Sequence, residues 1–519
     1  MPAVRNPDAA EVARPHAVRH RRLSLDGVWM VELEPPCAPR PIVVPFSFEA
    51  ALSGIGLGRE IHERLRYRRL FEVPAEWRGS RVLLNFGAVD WRATVTVDGE
   101  LIGFHTGGYT HFSFDLGELD PSRAHELVVD VEDPAEGFQP RGKQHGGGGI
   151  WYTRTTGIWQ PVWLEAVPAV YVRSLALVTD VGGNVCARVD TNEPTDIELR
   201  VGDERVRFES SGRGRLQLER PLLWSPDQPA LYDVTIGTET GDLVASYAAF
   251  RSIERRGREL LLNGDPIRLC GVLDQGFWPG GVYTPPSGVA LRADVEAAKS
   301  LGFNLARKHV KVEDPRWYAW CDRLGVLVAQ DLPSSHDLSS AEARQTFERE
   351  TDEIVAQLGG HPSVVLWIGV NEDWGEPPAT FQRGLVERLR AQDPGRLVVD
   401  ASGWKQLDDT DLVDRHDYGD DLSRHCSTDE LPLWIGECGG VSLLADGRSE
   451  DFAYKHVSSA DELAAAYGDL VNGSGDVAGL VWTQLTDVEG ELNGLLTADR
   501  VPKADPRAIR AVNERFRRR

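Results

Sequence analysis

Apolar and polar positions set three successive rhythms along the chain. From residue 23 to about 166, short apolar runs such as "RVLLNF", "ATVTVDG" and "HELVVDVED" are separated by Gly, Pro and Asp, the pattern of a β-sandwich. Asp98-Gly99 inside "TVTVDGELIGF" suits a type I′ hairpin turn. Residues 167–254 hold further strand patterns, "YVRSLALVTDV", "NVCARVDT", "DIELRVG" and "LYDVTIGT", the size of a small immunoglobulin-like sandwich without the Cys…Trp…Cys signature of antibody domains. After "LLLNGDPIRLCGV" helical periodicity alternates with buried apolar runs. Eight runs read as strands: 267–275, 303–308, 325–332, 363–372, 396–402, 411–418, 431–437 and 478–485. Between most of them lie helix patterns, with Val295, Ala298 and Leu301 on one face of the first and Phe347, Ile354, Val355 and Leu358 aligned in a later one. Asp505 and Pro506 read as the cap and first turn of a last helix.

Eight strands in this alternation are the count of a (β/α)8 barrel. The expected fold is therefore multidomain: a polar, disordered tail over 1–22, a jelly-roll β-sandwich over 23–166, an immunoglobulin-like β-sandwich over 167–254 and a C-terminal (β/α)8 TIM barrel over 255–519.

Composition narrows the partners. The 519 residues are 41% apolar, enough for several cores, and carry a net charge of −23. Polyanions repel such a chain, so neither nucleic acid nor an anionic membrane is an expected partner. No apolar run approaches the length of a membrane span, and the first residues lack the apolar stretch of a secretory signal. Six cysteines are scattered without paired spacing, which reads as reduced thiols in a cytoplasmic protein.

In such barrels the chemistry lies at the C-terminal strand ends. Those ends carry Arg307 and His309, Asp331, Asn371 and Glu372, Ser402 and Trp404, His416 and Tyr418, Glu437, and Trp482. Two carboxylates, Glu372 and Glu437, are the minimum needed to break a glycosidic bond: one protonates the leaving oxygen and the other attacks or activates water. Gly439 and Gly440 leave room for a ring beside Glu437. A metal site built from His309, His336, His416 and Asp331 is the competing reading, but no ligand spacing repeats. Lys143 and Gln144, in a glycine-rich loop at 141–150, either reach the barrel mouth or stay solvated. Trp151 and Trp159 read as core, and Trp404 as a subsite wall or as packing.

"HPSVVLWIGVNEDWG" followed by "LPLWIGECGG" resembles glycoside hydrolase family 2, the family of β-galactosidases, β-glucuronidases and β-mannosidases. The likeness extends to "YRRLFEVPAEW", "GIWQPVWLE", "GFNLARKHVKVEDPRWYAWCDRLGVLVAQDLP" and "VWTQLTDVEGELNGLLTADR". It implies a retaining exo-β-glycosidase with Glu372 as general acid/base and Glu437 as nucleophile. Asn371 would bond the 2-hydroxyl, Tyr418 would hydrogen-bond the nucleophile, and Trp482 would floor the sugar. Arg307, His309, Asp331 and His416 would line the pocket, and the peptide between Trp482 and Thr483 would be cis. No cofactor and no metal are implied; the partner is a carbohydrate or glycoside, and a homo-oligomer is compatible with the sequence. The Asn-x-Lys motif of β-glucuronidases is missing, and Cys438, Gly439 and Gly440 replace the Tyr and His that follow the nucleophile in galactosidases. Galactosidase-like specificity is the expectation, with β-glucuronidase, β-mannosidase and a catalytically silent carbohydrate binder as alternatives.

Overall fold

A computed structural model describes residues 12–34, 38–425, 430–443 and 452–519. In the first sandwich a six-stranded sheet, with strands in the order Arg40–Val44, Gly27–Leu33, Arg64–Phe71, His125–Glu132, Arg92–Val97 and Glu100–Thr106, packs on a four-stranded sheet. Alternating inward residues such as Trp29, Val31, Tyr67, Leu84, Phe86, Val129 and Leu164 fill the space between them. The hairpin at Asp98-Gly99 takes positive φ at both positions, 52° and 80°, as a type I′ turn requires. The second sandwich has three strands facing four, around Val185, Val189, Ile197, Leu199, Val234 and Ile236.

The barrel strands are β1 (Leu269–Asp274), β2 (Leu305–Lys308), β3 (Leu327–Asp331), β4 (Val364–Asn371), β5 (Leu397–Ser402), β6 (Val413–Asp417), β7 (Leu433–Gly439) and β8 (Gly479–Thr483). They lie in the order 5-4-3-2-1-8-7-6, and every pairing is parallel. Seven fall inside the expected runs and β7 runs two residues past its own, because strands buried on both faces mostly have nearly continuous apolar sequence. At the seam between β5 and β6 no ladder forms among the described residues. Asp411 bridges the gap: its amide donates to the Val398 carbonyl at 2.9 Å, and its carboxylate accepts the Val398 amide at 2.8 Å.

Among the described residues six helices surround the barrel: α1 (Gly288–Ser300), α2 (Pro315–Leu324), α3 (Ala341–Leu358), α4 (Ala379–Gln392), α5 (Ala460–Asn472) and α6 (Pro506–Arg518). Asp505 caps α6 by accepting the Arg507 amide. Among the described residues no helix follows β5 or β6. A three-stranded hairpin unit over residues 253–267 closes the N-terminal end, where Ile253, Leu260 and Leu262 join the barrel interior. No described helix is long and apolar enough to cross a membrane.

The expected tail needs correction. Residues 1–11 lie outside the described residues, but 12–22 are held in place. Val18 forms a β-bridge to Ala245, and the buried Arg19 guanidinium meets Asp242 at 2.8 Å and Glu165 at 2.8 Å. The polar composition that reads as solvated chain supplies charges with partners waiting on both sandwiches. Such a buried charge persists only when paired.

Candidate active site

Arg307, at the end of β2, is fully buried and organises the mouth. It holds Asp331 in bidentate form, both bonds at 3.0 Å, and donates to the Asn371 side-chain oxygen at 2.9 Å and to the Gly436 carbonyl at 3.0 Å. Its remaining reach goes to Glu437 Oε1 at 3.2 Å. His309 Nδ1 bonds Asp331 Oδ2, one of the two oxygens that Arg307 holds, at 2.7 Å. One guanidinium thus fixes residues from the ends of β3, β4 and β7 in a single geometry. The fork shape of Arg, rather than its charge alone, makes this possible.

Glu437 Oε2 accepts the Tyr418 hydroxyl at 2.5 Å. Burial alone would raise the Glu437 pKa, but His416, Arg307 and His309 outweigh it and, with the Tyr418 hydrogen bond, hold it down to about 2. Glu437 is therefore an anion at any ordinary pH. The depressed value also links to stability: the contribution is fully present above the ordinary carboxylate range and is lost as pH falls through about 2.

Glu372 follows β4 in a left-handed conformation, φ 48°, with Asp373 at 62°. Residues with a Cβ enter this region rarely, so the turn is held by its surroundings. Glu372 Oε1 lies 2.6 Å from His416 Nδ1. The same Nδ1 is 3.5 Å from Glu437 Oε2, so the imidazole links the two carboxylates. Oxygens of Glu372 and Glu437 lie within 4.8 Å of each other. Burial opposes charge on His416, but Glu437, Glu372 and Asp414 raise its pKa above the ordinary range. Beneath it the buried Asp414 carboxyl is pushed up to about 7 by burial. Gly436 permits this stack, because a Cβ there would meet the Asp414 carboxylate at 2.3 Å.

The Asn371 carbonyl oxygen is taken by Arg307 and by the Ser402 hydroxyl at 2.7 Å, while its buried amide Nδ2 has no protein acceptor. A buried donor without a partner suits a ligand hydroxyl. Tyr418 stacks on Tyr454 with ring centroids 3.6 Å apart.

Ten residues expected at the site are thus placed, and eight converge: Glu372, Glu437, Asn371, Tyr418, His309, Arg307, Asp331 and His416. Trp404 is on the rim, 60% exposed, with its ring 5.8 Å from His416. Trp482 is not at the mouth. It is buried in the layer between barrel and helices, beside Tyr467 of α5 at 4.7 Å, with Cys270, Val272 and Cys438. Both faces of a barrel strand are buried, so apolar character did not reveal its direction; Thr483, the next residue, reaches the Tyr418 hydroxyl at 3.4 Å. The expected cis bond is also displaced: it joins Thr483 to Gln484.

The glycine-rich loop of the first sandwich docks onto the barrel. Arg141 and Gly142 amides donate to the Ser334 carbonyl at 2.9 and 3.0 Å, and His336 donates to the Gly142 carbonyl at 3.0 Å. Lys143, buried, pairs with Glu491 at 3.3 Å, and Tyr152 bonds the same carboxylate. Trp151, expected in the core, is only half-buried and meets Trp374 at 4.9 Å and His336 at 5.0 Å. Trp374 stands two residues past Glu372, which was its only sequence signal. Tyr454 and Glu491 had none. His309, His336 and His416 do not form one cluster, since each has different partners.

Removing the Tyr418 hydroxyl isolates one of these effects. Tyr418→Phe is expected to lower kcat/KM about tenfold, the value of one hydrogen bond to a charged group. Losing a donor to the anion raises the Glu437 pKa, so the acid limb of the kcat/KM profile should move to higher pH. Initial rates across buffers check both, and an unmoved acid limb would separate Tyr418 from the charge of Glu437.

The first sandwich matches the model of the glycosyl hydrolase 2 galactose-binding domain-like family over residues 59–169. A β-galactosidase of Thermoanaerobacter pseudethanolicus is 25% identical over 336 residues, which covers 59% of this chain and 44% of that protein. A β-glucuronidase of Paenibacillus borealis is 23% identical over an alignment of 591 residues, covering 94% of this chain and 96% of that protein. The chain therefore spans less than half of the first relative and nearly all of the second. Among solved structures, a β-galacturonidase from Eisenbergiella tayi bound to galacturonate superposes with a TM-score of 0.79 at 18% identity, covering 97% of this chain and 99% of that one. A β-glucuronidase from Ruminococcus gnavus in complex with D-glucuronic acid gives 0.80 at 20%, covering 96% and 99%. Both superpositions extend over nearly the whole of each chain. The first sandwich thus matches a glycosyl hydrolase 2 sandwich domain, and along nearly its whole length the chain is similar in sequence to a β-glucuronidase and in fold to a GH2 β-galacturonidase.

Proposed function

We propose that the protein hydrolyses terminal β-glycosides with retention of configuration. The observation that carries this reading is the approach of Glu372 and Glu437 oxygens to within 4.8 Å. Retaining enzymes hold their carboxyls about 5–5.5 Å apart, whereas inverting ones need about 6.5–9.5 Å to admit a water. Glu437, anionic, attacks the anomeric carbon as the bond to the leaving oxygen breaks. Glu372, whose side chain the short contact to His416 holds in place, gives that oxygen its proton. A glycosyl ester on Glu437 results. Water then gives a proton to Glu372 and attacks the same carbon, the ester bond breaks, and the β-sugar leaves with Glu437 restored. The free Asn371 amide donates to the sugar 2-hydroxyl.

The sugar is proposed to be neutral and galactose-like. Among the described residues at the mouth, Arg307 already faces Asp331 and Glu437, Lys143 faces Glu491, and Lys405 faces Asp373. No Asn-x-Lys motif adds another cation. The β-glucuronidase relative supports a uronate reading equally at the level of resemblance. Turnover of p-nitrophenyl β-galactoside, β-glucuronide, β-mannoside, β-glucoside and α-arabinopyranoside separates the two, and a glucuronide hydrolysed far faster than the rest would overturn the neutral sugar. Proton NMR of the first-formed sugar tests the mechanism. A β-anomer is expected from a β-glycoside; an initial α-anomer would remove Glu437 from the nucleophile role.

A further inference from the structure

The opposite end of the barrel holds a second convergence of ligating side chains, with no part in glycoside chemistry. His16 comes from the N-terminal segment, Asp322 from α2, and His361 from the turn between α3 and β4. His361 Nδ1 is 2.6 Å from Asp322 Oδ2 and 3.1 Å from His16 Nε2, and His16 Nε2 is 3.8 Å from the same carboxylate oxygen. The three ligand atoms lie within 3.8 Å of one another, and the 2.6 Å pair is a hydrogen bond that has to open towards the roughly 3.3 Å that tetrahedral ligands take at zinc's bond lengths of about 2.0–2.1 Å. We propose that His16, Asp322 and His361 form a structural site for a divalent transition metal of the zinc class, which fastens the N-terminal segment to the barrel.

The surroundings are built as such a site needs. The other carboxylate oxygen of Asp322 accepts the Ser363 amide at 2.9 Å, which fixes Oδ2 toward the centre. Ser246 lies 3.5 Å from His16 Nδ1, on the side away from the metal position, where a partner sets the tautomer that leaves Nε2 its lone pair. The Tyr247 hydroxyl reaches Asp322 Oδ2 at 2.6 Å and His361 Nδ1 at 3.4 Å. In this structure Tyr247 and His361 both donate to Oδ2, and His16 Nε2 lies 3.1 Å from His361 Nδ1, so a metal would take the place of the proton that His361 Nδ1 now carries. Two imidazoles and one carboxylate favour zinc and its neighbours over magnesium or calcium, which prefer oxygen. His16 and His361 meet edge to face at 4.2 Å and Tyr247 packs on His16 at 4.0 Å, while the partly exposed side of His16 leaves room for a water as the fourth ligand.

The test is zinc binding to the full chain after chelation and dialysis. One zinc per chain is expected by isothermal titration and by elemental analysis of the reloaded protein. That binding should be lost in His16→Ala, a change that leaves the barrel untouched. Zinc should raise the Tm of the unchanged protein and leave that of His16→Ala where it is. Cobalt(II) should give the visible absorption of a four-coordinate nitrogen–oxygen site in the unchanged protein alone. His361→Gln serves as a second variant, with circular dichroism to show that it folds. The absence of stoichiometric zinc from the unchanged protein, or equal binding by His16→Ala, would overturn the proposal. Glycoside turnover should be the same in His16→Ala, so this outcome is separate from that of the active site.

Discussion

Glu437→Gln is expected to lose turnover on every glycoside, by about 10⁵-fold or more, the scale at which removal of a covalent nucleophile is felt. The amide matches the carboxylate in shape and has no anionic oxygen to attack. It also fits its donors badly. Both Glu437 oxygens accept, one from Arg307 and one from Tyr418. A glutamine can keep its oxygen on Arg307 only by turning its NH₂ toward Tyr418, whose hydroxyl must then accept, so the bond from Tyr418 to an anion is lost at a cost of about 1–3 kcal/mol. Thermal denaturation alongside kinetics separates this loss of stability from the loss of chemistry. Activity should be absent even at temperatures where the variant is fully folded. A residual rate of even one per cent would show that another group attacks the sugar.

Glu372→Ala divides the reaction into its halves. The first step needs a proton only when the leaving group is poor, so a dinitrophenyl glycoside should still form the ester on Glu437 while an alkyl glycoside should not. The second step needs Glu372 as base, so the ester should accumulate. A burst of phenol followed by a steady rate about 10²–10⁴-fold below the unchanged enzyme is expected. Azide needs no base. Added to the dinitrophenyl reaction, it should restore turnover and give the β-glycosyl azide, identified by its proton coupling. An α-azide, or no rescue, would exclude Glu372 as the acid/base. The cavity left by the alanine sits where His416 Nδ1 loses its 2.6 Å partner, which gives a small anion both space and a cationic neighbour.

The sequence displayed the barrel because most of its strands are apolar on both faces, β6 with its "VDRHD" being the exception, and displayed the carboxylates because Glu372 and Glu437 interrupt that character at the same end. What it hid has a common cause. Trp482 sits in an unbroken apolar run, where nothing distinguishes the face toward the mouth from the face toward α5. Asp414 lies inside β6, one turn of the pleat below His416, and only the three-dimensional stack reveals that it underpins the site. Tyr454 and Glu491 come from long connections without periodicity. The N-terminal segment reads as solvent-loving because its charges are counted singly, whereas Arg19 is matched to carboxylates at positions 165 and 242 that are distant in sequence. Local pattern shows where chain is buried, but does not show which buried charges are partners.

The docking of the glycine-rich loop has a consequence for how the protein is made. Lys143 and Tyr152 both depend on Glu491, and 339 residues separate Tyr152 from that carboxylate. A ribosome adds roughly 5–20 residues per second, so the loop emerges on the order of a minute or less before its counter-charge exists. During that interval the ammonium of Lys143 has to remain hydrated, since a buried cation without its anion is unfavourable by several kcal/mol. The first sandwich can fold as soon as it is synthesised, but its loop stays open. Only when β8 joins β1 and the segment carrying Glu491 follows does the loop close over the barrel. The contacts of this loop with Glu491 are therefore among the last in the molecule to form, long after the residues of the first sandwich have been made.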